Sequence, residues 1–213
     1  MLKIWGRATS MNVQKAMWVV GELGIPHERI DVGGKHGGLG TPQYLAMNPN
    51  KLIPTIDDDG IIVWESGAVV RYLAARYGRG SLWADDPGER AHADRWMDWM
   101  QTTLRLPFVD VFMGLVRTPA AQRDKKAIDA AVVELGALYG VFDRALQGRN
   151  FIAGDRLTIG DIPVGCSLYR YFTLPIARPP LPNLEAWYKR LQERPAYRQH
   201  VMVSYEDLRV PGA

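Results

Sequence analysis

Hydrophobic positions keep changing their period over the first third of this chain and then settle into one. Leu2 and Ile4 flank Lys3 as in a short strand. From Asn12 the apolar residues Val13, Ala16, Met17, Val20 and Leu23 fall at helical spacing, and Gly24 followed by Pro26 stops the helix. Alternation resumes over His27–Val32, around Ile30 and Val32, which predicts a second strand. A glycine-rich loop follows over Gly33–Gly40, and Thr41-Pro42 opens a short helix through Met47. Two more apolar runs, Leu52–Ile56 and Ile61–Trp64, are joined by an Asp59-Gly60 hairpin signal. Pro54 cannot donate to a ladder, so it marks the start of the first run. Val69, Val70, Leu73, Ala74 and Tyr77 then line one face of a helix that begins after Glu65-Ser66. The order strand, helix, strand, helix, strand, strand, helix describes a compact α/β unit.

Composition shifts over Gly78–Pro87, rich in Gly, Asp and Pro, so residues 79–88 read as a linker. Beyond it strand signals stop. A helical pattern runs from Glu89 to about Thr118 with an interruption at Pro107, and another from Pro119 to about Gln147. Thr158-Ile159-Gly160-Asp161 has the form of a capping box and opens a helix to about Phe172. Asn183 is a candidate cap for a helix carrying Leu184, Trp187, Tyr188 and Leu191. A last short helix starts at Arg194-Pro195, and the tail after Tyr205 is expected to be loosely held. The fold class is therefore α/β plus all-α, with domains at 1–78 and 89–213.

Length agrees with that division, since 213 residues suit one large or two small domains. A net charge of +3, with Lys and Arg scattered, argues against a nucleic-acid partner. Cys166 is the single cysteine, which precludes an intrachain disulfide and points to a reducing, cytoplasmic setting. No apolar run approaches the ~20 residues of a membrane span. Met1–Trp5 turns polar at once, unlike a signal peptide. The four histidines show no metal-ligand spacing, so no metal is expected. The Gly33–Gly40 loop lacks a phosphate-binding pattern.

Two helix starts carry the candidate chemistry. Glu65 and Ser66 set an acid and a hydroxyl beside free backbone N–H groups, which suits a small zwitterionic peptide or, alternatively, ordinary capping. Thr9, Ser10 and Asn12 stand at the start of the first helix, where each offers a donor or, equally, a cap.

Four stretches, in this order and at these spacings, resemble the glutathione transferase family: Leu2–Trp18; Asn48-Pro49 followed by Ile53-Pro54; Glu65-Ser66-Gly67-Ala68 followed by Tyr72-Leu73; and Thr158–Ile162. The resemblance implies a thioredoxin-like N-terminal domain, an all-helical C-terminal domain, glutathione as co-substrate and a homodimer. It also implies a cis Ile53-Pro54 bond, with Ile53 offering its N–H and C=O to the cysteinyl backbone of glutathione. Glu65 would pair the γ-glutamyl ammonium, and Ser66 with the helix start would hold the carboxylate. Ser10, Asn12 or Thr9 would stabilise the thiolate, the reactive form of the thiol. Lysine stands at Lys51, where the family carries glycine, so Lys51, Lys35 and His36 are all candidates for the glycine carboxylate. No cysteine stands at the first helix start, which disfavours mixed-disulfide chemistry. Some of Trp99, Thr102, Thr103 and Arg105 would line the electrophile pocket. The implied activity is conjugation of glutathione to a small-molecule electrophile, as in detoxification. Alternatives are a glutathione-dependent peroxidase or disulfide reductase, and a non-enzymatic binding protein on the same fold.

Overall fold

The computed structural model describes residues 1–212. Four strands, β1 (Leu2–Trp5), β2 (His27–Ile30), β3 (Thr55–Asp58) and β4 (Ile61–Trp64), form one sheet in the order β2-β1-β3-β4. β1 and β2 are parallel, while β3 runs antiparallel to β1 and to β4. The parallel pair needs a crossover, which is helix α1 (Met11–Leu23). Helix α2 (Pro42–Met47) precedes β3, with Thr41 accepting from the Tyr44 N–H as its cap. Helix α3 (Ser66–Tyr77) follows β4 and packs beside α1. Register explains the geometry of the sheet's end. Trp5 pairs with Thr55 and Thr55 with Trp64, so one step outward brings Gly6, Pro54 and Glu65 into a row beside the start of α1.

The rest is helical: α4 (Pro87–Trp99), α5 (Arg105–Phe112), α6 (Lys125–Ala145), α7 (Asp161–Thr173), α8 (Pro182–Glu193) and α9 (Pro195–His200). α1 also packs against α7 and α9, so it belongs to both halves of the core. Trp18 is fully buried there, and a Cβ on Gly165 of α7 would lie 2.6 Å from its ring. That contact explains why a glycine sits in the middle of α7.

Several boundaries differ from the sequence reading. The presumed linker is structured: Arg79 bridges to Trp83, the Ile159 N–H donates to the Leu82 carbonyl, and Leu82 and Ala84 are buried. Helix α4 starts earlier than Glu89, capped by Asp86 with Pro87 in its first turn. Pro107 does not break the chain's course. A wide turn over Met100–Leu104, in which the Arg105 N–H reaches the Met100 carbonyl, absorbs it one step upstream. Residues Pro119–Asp124 are not part of α6, which Asp124 caps through the Ala127 N–H.

The capping box at Thr158 is half formed. Asp161 accepts from the Thr158 N–H, but it also takes the Thr158 hydroxyl and the Ile152 N–H. Asn183 caps nothing. Asp143 of α6 receives both the Leu184 N–H and the Asn183 amide, so a residue 40 positions away does the capping. The tail is tied down: Val210 donates to the Val116 carbonyl, and the Gly212 carbonyl accepts from Ala120.

Candidate active site

The start of α1 opens onto a cavity of about 510 Å³ between the two halves of the molecule. Thr9, Ser10 and Asn12 line it from one side, and Phe108, Val109, Phe112 and Met113 from the other. Ser10 occupies the N-cap position of α1, yet its side chain makes no cap hydrogen bond. Capping therefore does not account for its hydroxyl. Asn12 uses its Oδ1 to accept from the buried Lys15 Nζ at 3.0 Å, which leaves the carboxamide NH2 as its free end. The Thr9 carbonyl receives the Arg170 guanidinium at 2.6 Å.

Four guanidiniums reach this cavity: Arg7, Arg105, Arg117 and Arg170. No carboxylate side chain among the described residues lines it. Arg170 is 6 % exposed and lies over the Phe112 ring at 4.5 Å. Burial pulls its pKa down to about 10, helped by Arg7. Arg7 is lowered as well, by burial first and then by Arg117, and its Nε is buried without a hydrogen-bond partner among the described residues. Such an atom is costly unless something else meets it. Gly33 and Gly34, both at positive φ, let the Arg7 side chain lie across their loop; a Cβ on either would crowd its guanidinium.

The second helix start lies along the same end of the sheet. The Ile53-Pro54 bond is cis. Glu65 precedes α3 with φ 68° and ψ 116°, a strained backbone for a residue with a side chain, and makes no cap hydrogen bond. Its carboxylate is exposed, while Ser66 is buried at the first helical position. Glu65 thus pays a conformational cost without capping, which favours a role toward a ligand.

These features meet independent likenesses. Residues 5–81 match the sequence profile described as the glutathione S-transferase N-terminal domain, and residues 93–195 that of the C-terminal domain. This chain belongs to the glutathione S-transferase family. Glutathione S-transferase GstB of Escherichia coli is 44% identical, covering 95% of this chain and 99% of its own. A theta class glutathione S-transferase of Xanthomonas axonopodis pv. citri, solved with glutathione bound, superposes with a TM-score of 0.91 at 48% identity, covering 95% of this chain and 98% of that one. The Bombyx mori transferase BmGSTD1 gives 0.85 at 27%, covering 97% and 95%. The thioredoxin-like half and the helical half are those of this family.

Within the transferase fold the expected residues fall into separate groups. Thr9, Ser10, Asn12 and Arg105 share the cavity at the α1 start, while Trp99, Thr102 and Thr103 do not line it. His36 and Lys35 line a second cavity of about 400 Å³, which shares Arg7, Thr9, Arg117 and Leu208 with the first. Lys35 is already paired with Asp207 at 2.7 Å. Lys51 is exposed, with φ 56°. Arg7, Arg117 and Arg170 escaped the sequence reading. An arginine among the apolar positions of α7 was the one local sign, since arginine is rarely buried without a purpose.

Proposed function

We propose that this glutathione S-transferase holds glutathione along the row formed by Ile53, Pro54, Glu65 and Ser66 and conjugates it to a small electrophile bearing an anionic group. One observation carries the proposal: the α1-start side chains Thr9, Ser10 and Asn12 share one cavity with four arginines, and no carboxylate side chain among the described residues lines it. A free thiol of pKa ~8.5 is mostly protonated at neutral pH, so donors at Ser10, Asn12 or Thr9 and the α1 dipole raise the thiolate fraction. The thiolate attacks carbon and forms the C–S bond while the leaving group departs with its electron pair. Guanidinium groups fit planar oxyanions, and Arg7, with its unmet Nε, is the first candidate to clamp one. Lys51 or His36 would meet the glycine carboxylate of glutathione; Lys35 would first have to leave Asp207.

A homodimer belongs to the same reading. β4 is an edge strand that exposes Ile61, Ile62 and Trp64, an apolar edge that a second copy would cover. A cytoplasmic, detoxifying role is consistent with one reduced, buried cysteine.

Calorimetry with reduced glutathione tests the first half; no binding at millimolar ligand sinks it. Iodoacetate and its neutral counterpart iodoacetamide test the second. The enzyme-catalysed rate, relative to the uncatalysed one, should favour iodoacetate by at least about tenfold, one good ion pair's worth. Equal enhancement of both reagents would remove the anion from the proposal. Faster turnover of an organic hydroperoxide than of either would favour a peroxidase.

A further inference from the structure

Lys15 is an unusual residue to find inside this core. It lies on the second turn of α1 and is 3 % exposed. The titratable groups whose charge acts on it are the Cys166 thiol on α7, Arg105 on α5 and Glu65 at the start of α3. Lysine is seldom buried, and a methionine would fill the same stem volume without desolvating an ammonium. Helix propensity does not explain it either, since lysine and methionine are nearly equal. What its ammonium does visibly is donate to Asn12 Oδ1 across one turn.

That contact has a directional consequence. A carboxamide can turn over, exchanging a donor end for an acceptor end at little cost. A lysine side chain bearing a proton offers only donors. It therefore fixes Oδ1 inward and presents the NH2 group to the cavity that Asn12 lines. An NH2 group stabilises a thiolate, whereas an amide oxygen in its place would repel one. We propose that Lys15 is a positioning residue for the glutathione thiol, acting through Asn12, which it locks with its donor end toward the sulfur. This rests on the reading of Asn12 as a sulfur ligand.

Burial lowers the Lys15 pKa to about 8, opposed by Cys166 and Glu65 and assisted by Arg105. The ammonium is thus kept at neutral pH, where the donor is needed.

The ultraviolet absorbance of bound thiolate, followed against pH, separates the possibilities in wild type, Lys15→Met, Lys15→Gln, Asn12→Ala and the Lys15→Met/Asn12→Ala pair. Glutathione affinity by calorimetry should stay within about twofold in Lys15→Met, while the thiolate fraction at neutral pH falls about tenfold, one pKa unit. Asn12→Ala should do the same, and the double variant should go no further. Lys15→Gln, which keeps a donor, should recover part of the loss and guards against a misfolded methionine variant. A wild-type titration in both Lys15 variants, or additive shifts in the double variant, would overturn the proposal. An unshifted Asn12→Ala removes Asn12 from the sulfur and the proposal with it, yet leaves the transferase reading standing. Failure of the wild-type protein to bind glutathione is a separate outcome and strikes that reading instead.

Discussion

The two sides of the proposed site, the end of the sheet with its helix starts and the arginine-lined face of the cavity, are built on different principles. The side proposed to hold glutathione is made by backbone. A strand end, a cis bond, a strained turn and two helix starts present short side chains and N–H groups, all set by local geometry. The opposite wall is made by long side chains. Arg105 and Arg117 extend from the α4–α6 region and Arg170 from α7, while Arg7 crosses over from the first half. A backbone site is stiff and suits one constant ligand. A wall of arginines, half of them exposed, fixes charge but leaves shape loose, which suits variable electrophiles sharing an anion. Changes on the first side should therefore act on binding of glutathione, and changes on the second on the choice of electrophile.

The largest expected effect lies beneath the α1 start, at Lys15. Its folded pKa of about 8 lies below the ordinary 10.5 because burial disfavours the ammonium. Between those values the unfolded chain binds more protons than the folded one, so stability rises with pH through that window. The full difference is about 3 kcal/mol. Urea unfolding at about pH 7 and about pH 10.5 should show wild type gaining about 3 kcal/mol relative to Lys15→Met, because the buried tyrosines, whose raised pKa values lower stability as pH rises, act equally in both proteins. Parallel behaviour of the two proteins would mean that Lys15 is hydrated in the folded state.

Next in size is Glu65→Ala. Losing a charge-assisted contact to the γ-glutamyl ammonium should weaken glutathione about 30-fold, near 2 kcal/mol. Stability should hardly change, because the Glu65 side chain makes no cap hydrogen bond to lose. A large fall in melting temperature with unchanged affinity would return Glu65 to a structural role.

Arg7→Met probes the other wall. Removing it should lower kcat/KM for iodoacetate about tenfold and leave iodoacetamide within about twofold. Equal losses would show that Arg7 supports the fold or glutathione rather than the electrophile's charge.

The same contrast explains what the sequence revealed. Pro54, Glu65, Ser66 and the α1 start are local events, each written in adjacent residues, and Ser10 and Asn12 are indeed at the cavity. The arginine wall gathers residues 7, 105, 117 and 170, which only tertiary packing brings together. Capping failed for the same reason at α8, where Asp143 of a distant helix does what Asn183 was expected to do. The tail was misjudged because its polar composition says nothing of the backbone hydrogen bonds that Val116 and Ala120 offer it. Period and punctuation report the chain's own geometry; side chains meeting across the core leave no comparable trace.

Ser10 gives the finest test, because two readings of one residue predict opposite things. Serine at an N-cap ordinarily stabilises its helix by about 1 kcal/mol through its oxygen. Here the Ser10 side chain accepts no such bond, and its only part in the helix is the backbone carbonyl that takes the Gln14 N–H, which any residue would supply. Asp124, by contrast, accepts from the Ala127 N–H at 2.9 Å at the head of α6. Asp124→Ala should therefore cost about 1 kcal/mol in urea unfolding, whereas Ser10→Ala should stay within about 0.5 kcal/mol of wild type. If Ser10→Ala matches Asp124→Ala in stability and leaves the thiolate titration untouched, the hydroxyl is a cap after all and the sulfur belongs to Asn12 and Thr9.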